Sequence, residues 1–199
     1  MEKLELFKGY DEKNNLKIVK TIENIDDFID AISVFKDAPY YEILDKNACE
    51  EEYSLYVQNG LALGCYINNK IAGLNCIVYD SDKNHSVKFD EKDKIAYYSG
   101  LAVKKDYRHH GIGKLLVYET DKYLESLKLF DYSYARILLK GSMSEGIFKK
   151  YGFSDIYVNN ELIIDDVMYE RNNPNVSKSD KRKYMVKKLT NNASPITRR

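Results

Sequence analysis

One stretch constrains the chain more than any other. The apolar run Ile95–Val103 passes into a short basic loop, Lys104–His110, and then through Gly111-Ile112-Gly113 into a helical pattern that lasts to about Lys128. Ile112, Leu115, Leu116, Tyr123, Leu124 and Leu127 fall on one side of that helix, so it packs against a sheet. At its start the first amides lack partners within the helix and carry the positive end of the dipole, and the missing side chains at Gly111 and Gly113 let an anion approach the backbone. Arg108 adds a charge-assisted donor beside them. The strand, loop and helix together form a cradle for phosphate or pyrophosphate; an ordinary tight turn is the plainer alternative. A nucleotide P-loop is excluded because Gly113-Lys114 is followed by leucine, and the G-x-G-x-x-G pattern of dinucleotide-binding folds is absent.

The rest of the chain supplies the sheet. Two short strands are expected in Lys3–Lys20, around the turn-like Gly9–Asn15. Asn24 caps a helix whose Ile25, Phe28, Ile29, Ile32 and Phe35 recur at helical spacing, and Asn47 is expected to cap a second one through about Gln58. Leu61–Ile67 and Ile71–Tyr79 flank Asn68-Asn69-Lys70, a hairpin signal because Asn tolerates positive φ. Asp80–Lys94 reads as a polar loop, with His85 exposed in it, and Tyr134–Leu139 as a strand. Ser142-Met143-Ser144-Glu145 has the form of a capping box opening a short helix that Gly152 closes. Strand residues follow in Phe153–Tyr169 and Arg182–Leu189, whereas 190–199 has no core pattern and is expected to be a disordered tail. The order gives an α+β domain around a mixed sheet, with residues 1–189 as a single domain.

Composition narrows the function. The 31 Lys+Arg balance the 31 Asp+Glu, so the net charge is zero and the basic excess of phosphate-neutralising nucleic-acid binders or membrane-surface proteins is missing. No nucleic acid and no membrane is therefore expected as a partner. The charged stretch Met1–Lys20 has no signal-peptide core, which makes the cytoplasm the expected compartment. Cys49, Cys65 and Cys76 fit small buried thiols rather than a disulfide framework, and no Cys/His spacing suggests a metal site. Eighteen tyrosines without a tryptophan leave open core, stacking and acid/base roles.

The run Arg108-x-x-Gly111-x-Gly113, after a strand ending Leu101-Ala102-Val103 and before Leu115-Leu116, resembles the acyl-coenzyme A motif of the GNAT N-acetyltransferase superfamily. Ser144–Tyr151 running into Gly152-Phe153 is similar to that superfamily's last helix and terminal Gly-Phe. The resemblance covers about residues 16–189. It implies a mixed, mostly antiparallel central sheet flanked by about four helices, with a splayed strand pair forming an acyl-CoA groove. It further implies that the backbone of Leu101, Ala102 and Val103 bonds the pantetheine arm, and that Arg108, His109, His110, Gly111, Ile112, Gly113 and Lys114 hold the pyrophosphate. Acetyl-CoA would serve as co-substrate without a metal, a small-molecule or peptide amine as acceptor, and the protein would act as a monomer or homodimer.

The same resemblance directs attention to proton transfer. An alkylammonium of pKa about 10.4 is less than ~0.1% neutral at pH 7, so a base matters for direct attack. Tyr97, eleven residues before Arg108, stands where relatives place a glutamate or a water-ordering tyrosine. Tyr40, Tyr41 and Glu42 are expected to touch the acceptor. Phe148 occupies the position of the superfamily's usual acid, a tyrosine, which leaves Tyr151 as a candidate acid one helical turn on; Gly141 stands where asparagine is usual. These departures keep open a second reading, a catalytically weak acyl-CoA-binding sensor or interaction module.

Overall fold

The computed structural model describes residues 4–37, 46–80, 85–166, 181–190 and 193–198. In chain order the elements are β1 (Glu5–Tyr10), β2 (Leu16–Thr21), α1 (Ile25–Ile32), α2 (Lys46–Tyr53), β3 (Gly60–Ile67), β4 (Lys70–Tyr79), β5 (Val87–Lys88), β6 (Ile95–Val103) and α3 (Ile112–Leu127). They continue with β7 (Tyr132–Leu138), α4 (Glu145–Lys150), β8 (Ser154–Asp155), β9 (Tyr157–Val158), β10 (Glu161–Leu162), β11 (Ile164–Asp166), β12 (Lys181–Lys188) and β13 (Thr197–Arg198). Among the described residues the pairs β1–β2, β2–β3, β3–β4, β7–β12 and β11–β12 are antiparallel and β6–β7 is parallel, so the fold is α+β with a mixed, mostly antiparallel sheet and four described α-helices. The chain divides into two compact units, Met1–Val78 with Ser99–Tyr123, and Tyr79–Tyr98 with Leu124–Arg199.

In the first unit β1, β2, β3 and β4 form an antiparallel meander. The β3–β4 connection is the two-residue turn that Asn68 and Asn69 favour, with φ of 47° and 64°. Asn24 caps α1 as expected, its Oδ1 accepting from the Asp27 amide at 2.8 Å. Helix α1 buries Phe28, Ala31 and Ile32 in a core with Val34, Phe35, Cys49, Val57, Leu74 and Cys76. Helix α2 begins at Lys46, which makes Asn47 its second residue instead of its cap, and it passes into a π-type turn, Ser54–Gln58. Helix α3 packs on β4 at Gly73, where an added Cβ would lie 2.8 Å from Ile112 Cγ2 and 3.0 Å from Leu116 Cδ1. A buried bond of 2.7 Å from Asn75 Nδ2 to Thr120 Oγ1 fixes the register of that helix on the strand.

In the second unit the first half of β6 pairs in parallel with β7 from Ile95↔Tyr132 to Tyr98↔Ala135. Strand β7 pairs antiparallel with β12, which also pairs with β11 and β8. Asn159 and Asn160, both at positive φ, turn β9 into β10. The capping box expected at Ser142–Glu145 does not form. Helix α4 starts at Glu145, too late for its carboxylate to reach back to Ser142; Ser142 Oγ instead meets Ser144 Oγ at 2.9 Å. The Glu145 carboxylate pairs with Lys149 at 2.6 Å and with Lys183 at 2.8 Å.

Two further expectations are corrected here. Residues 193–198 of the tail have structure: β13 pairs with β5, the Ser194 amide donates to Asp93 Oδ2 at 3.0 Å, and the Tyr132 hydroxyl donates to the Ser194 carbonyl. These anchors are hydrogen bonds to the 85–94 segment and to one tyrosine of β7, which leave no hydrophobic periodicity to read in the sequence. His85, expected to be exposed, is half-buried, with its ring 4.7 Å from Tyr97 and its Nδ1 2.9 Å from Tyr134 Oη. Among the described residues, no helix is long and apolar enough to cross a membrane. All three cysteines are buried free thiols.

Candidate functional site

The cradle is built from consecutive pieces of the first unit. At the end of β6 the Lys104 amide donates to Ala72 O at 2.9 Å, tying the strand end to β4. A single 3-10 turn, Lys105–Tyr107, follows. The Arg108 side chain then folds back so that Nε donates to Val103 O at 3.1 Å, which ties the guanidinium to the strand end. His109 at φ 65° and Gly111 at φ 74° adopt left-handed backbone that swings the chain into α3. A Cβ at Gly111 would meet nothing within 4 Å, so this glycine serves the turn and leaves the space above it open.

The first helical bond that reaches this turn is Leu115 N to Gly111 O at 3.0 Å. The amides of Ile112, Gly113 and Lys114 therefore have no partner within the helix, and they sit at the positive end of a 16-residue dipole. His109, His110, Gly111 and Lys114 are exposed, whereas Ile112 is buried against β4 and holds the helix start in place. Leu101, Ala102 and Val103 are half-buried, as is Arg108. Amides without helical partners at a helix start, with Arg108 tied to the strand end and Lys104, Lys105 and Lys114 close by along the chain, make a site suited to an anion.

The expected catalytic residues are placed differently. Tyr97 lies in the second unit, stacked on Tyr134 at 4.8 Å and only 9% exposed, its hydroxyl hydrogen-bonded to Arg136. Burial raises its pKa, against the lowering effect of the Arg136 and Arg182 charges. Tyr98, on the opposite face of β6, packs edge-on against Phe148 at 5.3 Å and Phe153 at 5.6 Å. Phe148 is thus a core residue, 2% exposed. Tyr151 is half-buried at the end of α4 with the Lys150 ammonium 5.8 Å from its ring centre. Strand alternation separates Tyr97 from the face that Phe148 covers, so the structure does not bring Tyr97 and α4 together. Tyr40, Tyr41 and Glu42 lie outside the described residues.

Sequence reasoning missed two groups. In the second unit, Arg136 Nη1 lies 3.4 Å from Asp165 Oδ2, which also accepts from the Tyr184 hydroxyl; the available signal was one arginine inside the apolar strand β7. In the first unit, Tyr56 Oη lies 3.0 Å from Ser99 Oγ, joining α2's C-terminal turn to β6. No local pattern announces a contact between residues 43 positions apart.

The Acetyltransferase (GNAT) family matches residues 23–153. No curated protein sequence matches. Among solved structures, the ribosomal-protein-S18-alanine N-acetyltransferase of Escherichia coli superposes with a TM-score of 0.63 at 14% identity, over 87% of this chain and 94% of that one. An N-acetyltransferase from Staphylococcus aureus gives 0.63 at 10% identity, over 87% and 97%. NAA60 of Arabidopsis thaliana, in complex with a bisubstrate analogue, gives 0.58 at 12% identity, over 85% and 97%. At these identities the neighbours establish the fold, and the family match extends from α1 through β3–β7, the cradle and α4. The chain belongs to the GNAT acetyltransferase family.

Proposed function

We propose that the protein is an N-acetyltransferase that moves an acetyl group from acetyl-CoA to a primary amine of a small molecule or peptide by direct attack. The observation that carries this reading is the run of amides without helical partners at the start of α3, with Arg108 tied to the end of β6 beside it. The cofactor's diphosphate would rest on the amides from His109 to Lys114, and its pantetheine arm would run back along Val103, Ala102 and Leu101 as an added strand does. Solved relatives support the ligand class: one holds acetyl-CoA, and another holds a peptide together with CoA. In the transfer, the amine nitrogen bonds to the thioester carbon, the carbon–sulfur bond breaks, the nitrogen loses a proton, and the thiolate leaves.

Burial of Phe148 in an aromatic cluster favours a second reading, a GNAT-type acyl-CoA sensor with little turnover. Thiol release from acetyl-CoA separates the two. With butylamine, lysine and a short peptide bearing a free amino terminus, an enzyme releases thiol above the blank. A sensor gains thermal stability with coenzyme A but stays at the blank rate. Arg108→Ala should weaken coenzyme A binding by about 1.5–3 kcal/mol, as loss of a charged hydrogen bond does. Unchanged affinity in the folded variant would refute the cradle.

A further inference from the structure

The hydroxyl contact between Tyr56 and Ser99 occupies a position that the acetyl-transfer reading makes chemically significant. Diphosphate on the α3 amides and an arm running back along Val103 and Leu101 would bring the thioester toward Ser99, four strand residues or roughly 13 Å from Val103. Ser99 is half-buried and carries the one hydroxyl in the stretch Ser99–Val103. Its Oγ lies 3.0 Å from Tyr56 Oη. The Tyr56 hydroxyl in turn hydrogen-bonds the carboxylate of Glu52, four residues earlier in α2. The Tyr56 ring is held against Phe28, with centroids 6.3 Å apart, on the core that includes Cys76.

We propose that Ser99, Tyr56 and Glu52 form the path by which the acceptor amine loses its proton, with Ser99 Oγ as the catalytic group and the other two acting through it. The bound alkylammonium first passes a proton to Ser99 Oγ, and the neutral amine then attacks the thioester carbon. The serine proton moves to Tyr56 Oη, and the tyrosine proton moves to the Glu52 carboxylate. The carbon–sulfur bond breaks, and the thiolate takes the second proton that nitrogen sheds as the amide forms. Glu52, now a neutral acid, returns its proton to water.

The chemistry of each member fits that order. Burial pushes the Tyr56 phenol far above its ordinary range, with the nearby Cys76 thiol and Glu52 adding to the rise, so Tyr56 remains neutral. A neutral phenol passes a proton only if it gives one up as it receives another, which requires an acceptor beyond it, and Glu52 supplies that. Either hydroxyl can donate in the Tyr56–Ser99 bond, so the serine can hand its proton to Tyr56, and a carboxylate at Glu52 can only accept from Tyr56.

This inference rests on the acetyl-transfer reading, and the test separates failure of either. Ser99→Ala, Tyr56→Phe and Glu52→Gln are compared with wild type, using the alkylamine turned over fastest and hydroxylamine, which is largely neutral at pH 7. A proton path predicts a loss of about 10- to 100-fold in kcat for the alkylamine, within the span of acid–base effects. The loss should shrink as pH rises and amount to less than about threefold for hydroxylamine, while the melting-temperature gain with coenzyme A is kept. Equal losses for both amines, or no loss, would overturn the path and leave the bond as a structural tie. If Tyr56→Phe fails to fold, Glu52→Gln, on a half-exposed side chain of the same shape, decides in its place. A wild-type protein that releases no thiol above the blank with any of the amines would sink the parent reading and this one with it.

Discussion

Gly73→Ala tests how the fold positions the cradle. Gly73 sits in β4 opposite Cys65, and α3 lies directly on it. The new methyl would stand 2.8 Å from Ile112 Cγ2, 3.0 Å from Leu116 Cδ1 and 3.2 Å from Ala102 O, whereas carbon atoms rest at about 3.5–4.0 Å. Ile112 and Leu116 are 1% and 0% exposed, so neither can swing into solvent, and the helix must lift by several tenths of an ångström. Such overpacking costs about 1–3 kcal/mol. The entropy that alanine removes from the unfolded chain offsets about 0.4–1 kcal/mol. The net is a loss of about 1–2 kcal/mol, or roughly 2–8 °C in Tm for a chain of this size. Because Ile112 opens α3, the same displacement moves the amides of the cradle, and coenzyme A affinity should fall several-fold. Thermal denaturation with and without coenzyme A reads both effects. Gly146→Ala, where a Cβ meets nothing within 4 Å, is the control and should be neutral or stabilising. A Tm for Gly73→Ala at or above the wild-type value would refute the packing argument.

Gly111→Val poses the opposite case, backbone strain without a clash: at φ 74° a side chain with open space around it should still cost about 1–2 kcal/mol, and Gly111→Asn should recover part of that in the same denaturation assay. Lys183→Met removes an ammonium that lies 2.8 Å from both Glu145 and Asp155; those carboxylates are partly exposed, so the loss should be about 1–3 kcal/mol. Hydrogen bonds from Lys149 and Lys183 hold the Glu145 carboxyl below its ordinary range, so its contribution is complete above about pH 4.3 and is lost as pH falls through the lowered value. Burial works against the Lys183 charge, but its bonds to Asp155 and Glu145 outweigh it and raise the pKa, so that contribution is present below about pH 10.4 and lost as pH rises through the raised value. Unfolding titrations of Lys183→Met should be flatter at both ends, and an unchanged pH profile would remove the ion pairs from the account.

Where neighbouring residues along the chain decide the geometry, the sequence reading and the structure agree closely. Strand β6 occupies the expected Ile95–Val103, α3 begins at Ile112 instead of Gly113, Asn24 caps α1, and Asn68-Asn69 makes the hairpin turn. The cradle was legible for the same reason: a helix start, two glycines and Arg108 lie within a few residues, and helix geometry alone points their donors in one direction. The capping box failed because motif spacing does not say which residue opens the helix, and Lys183, 38 positions away, offered Glu145 a stronger partner.

Residues far apart in sequence met in ways that only packing could decide. Alternation along β6 says that Tyr97 and Tyr98 face opposite ways, but it does not say that Tyr134, Arg136 and His85 wait on one side and Phe148 and Phe153 on the other. Ser99 and Tyr56 look unremarkable until register and the turn after α2 place their hydroxyls 3.0 Å apart. The sequence by itself determined the local elements and the anion cradle, because hydrogen bonds and dihedral preferences between near neighbours suffice for both. Tertiary structure alone decided which hydroxyls, carboxylates and rings share a site, because burial and partner geometry depend on how distant segments stack.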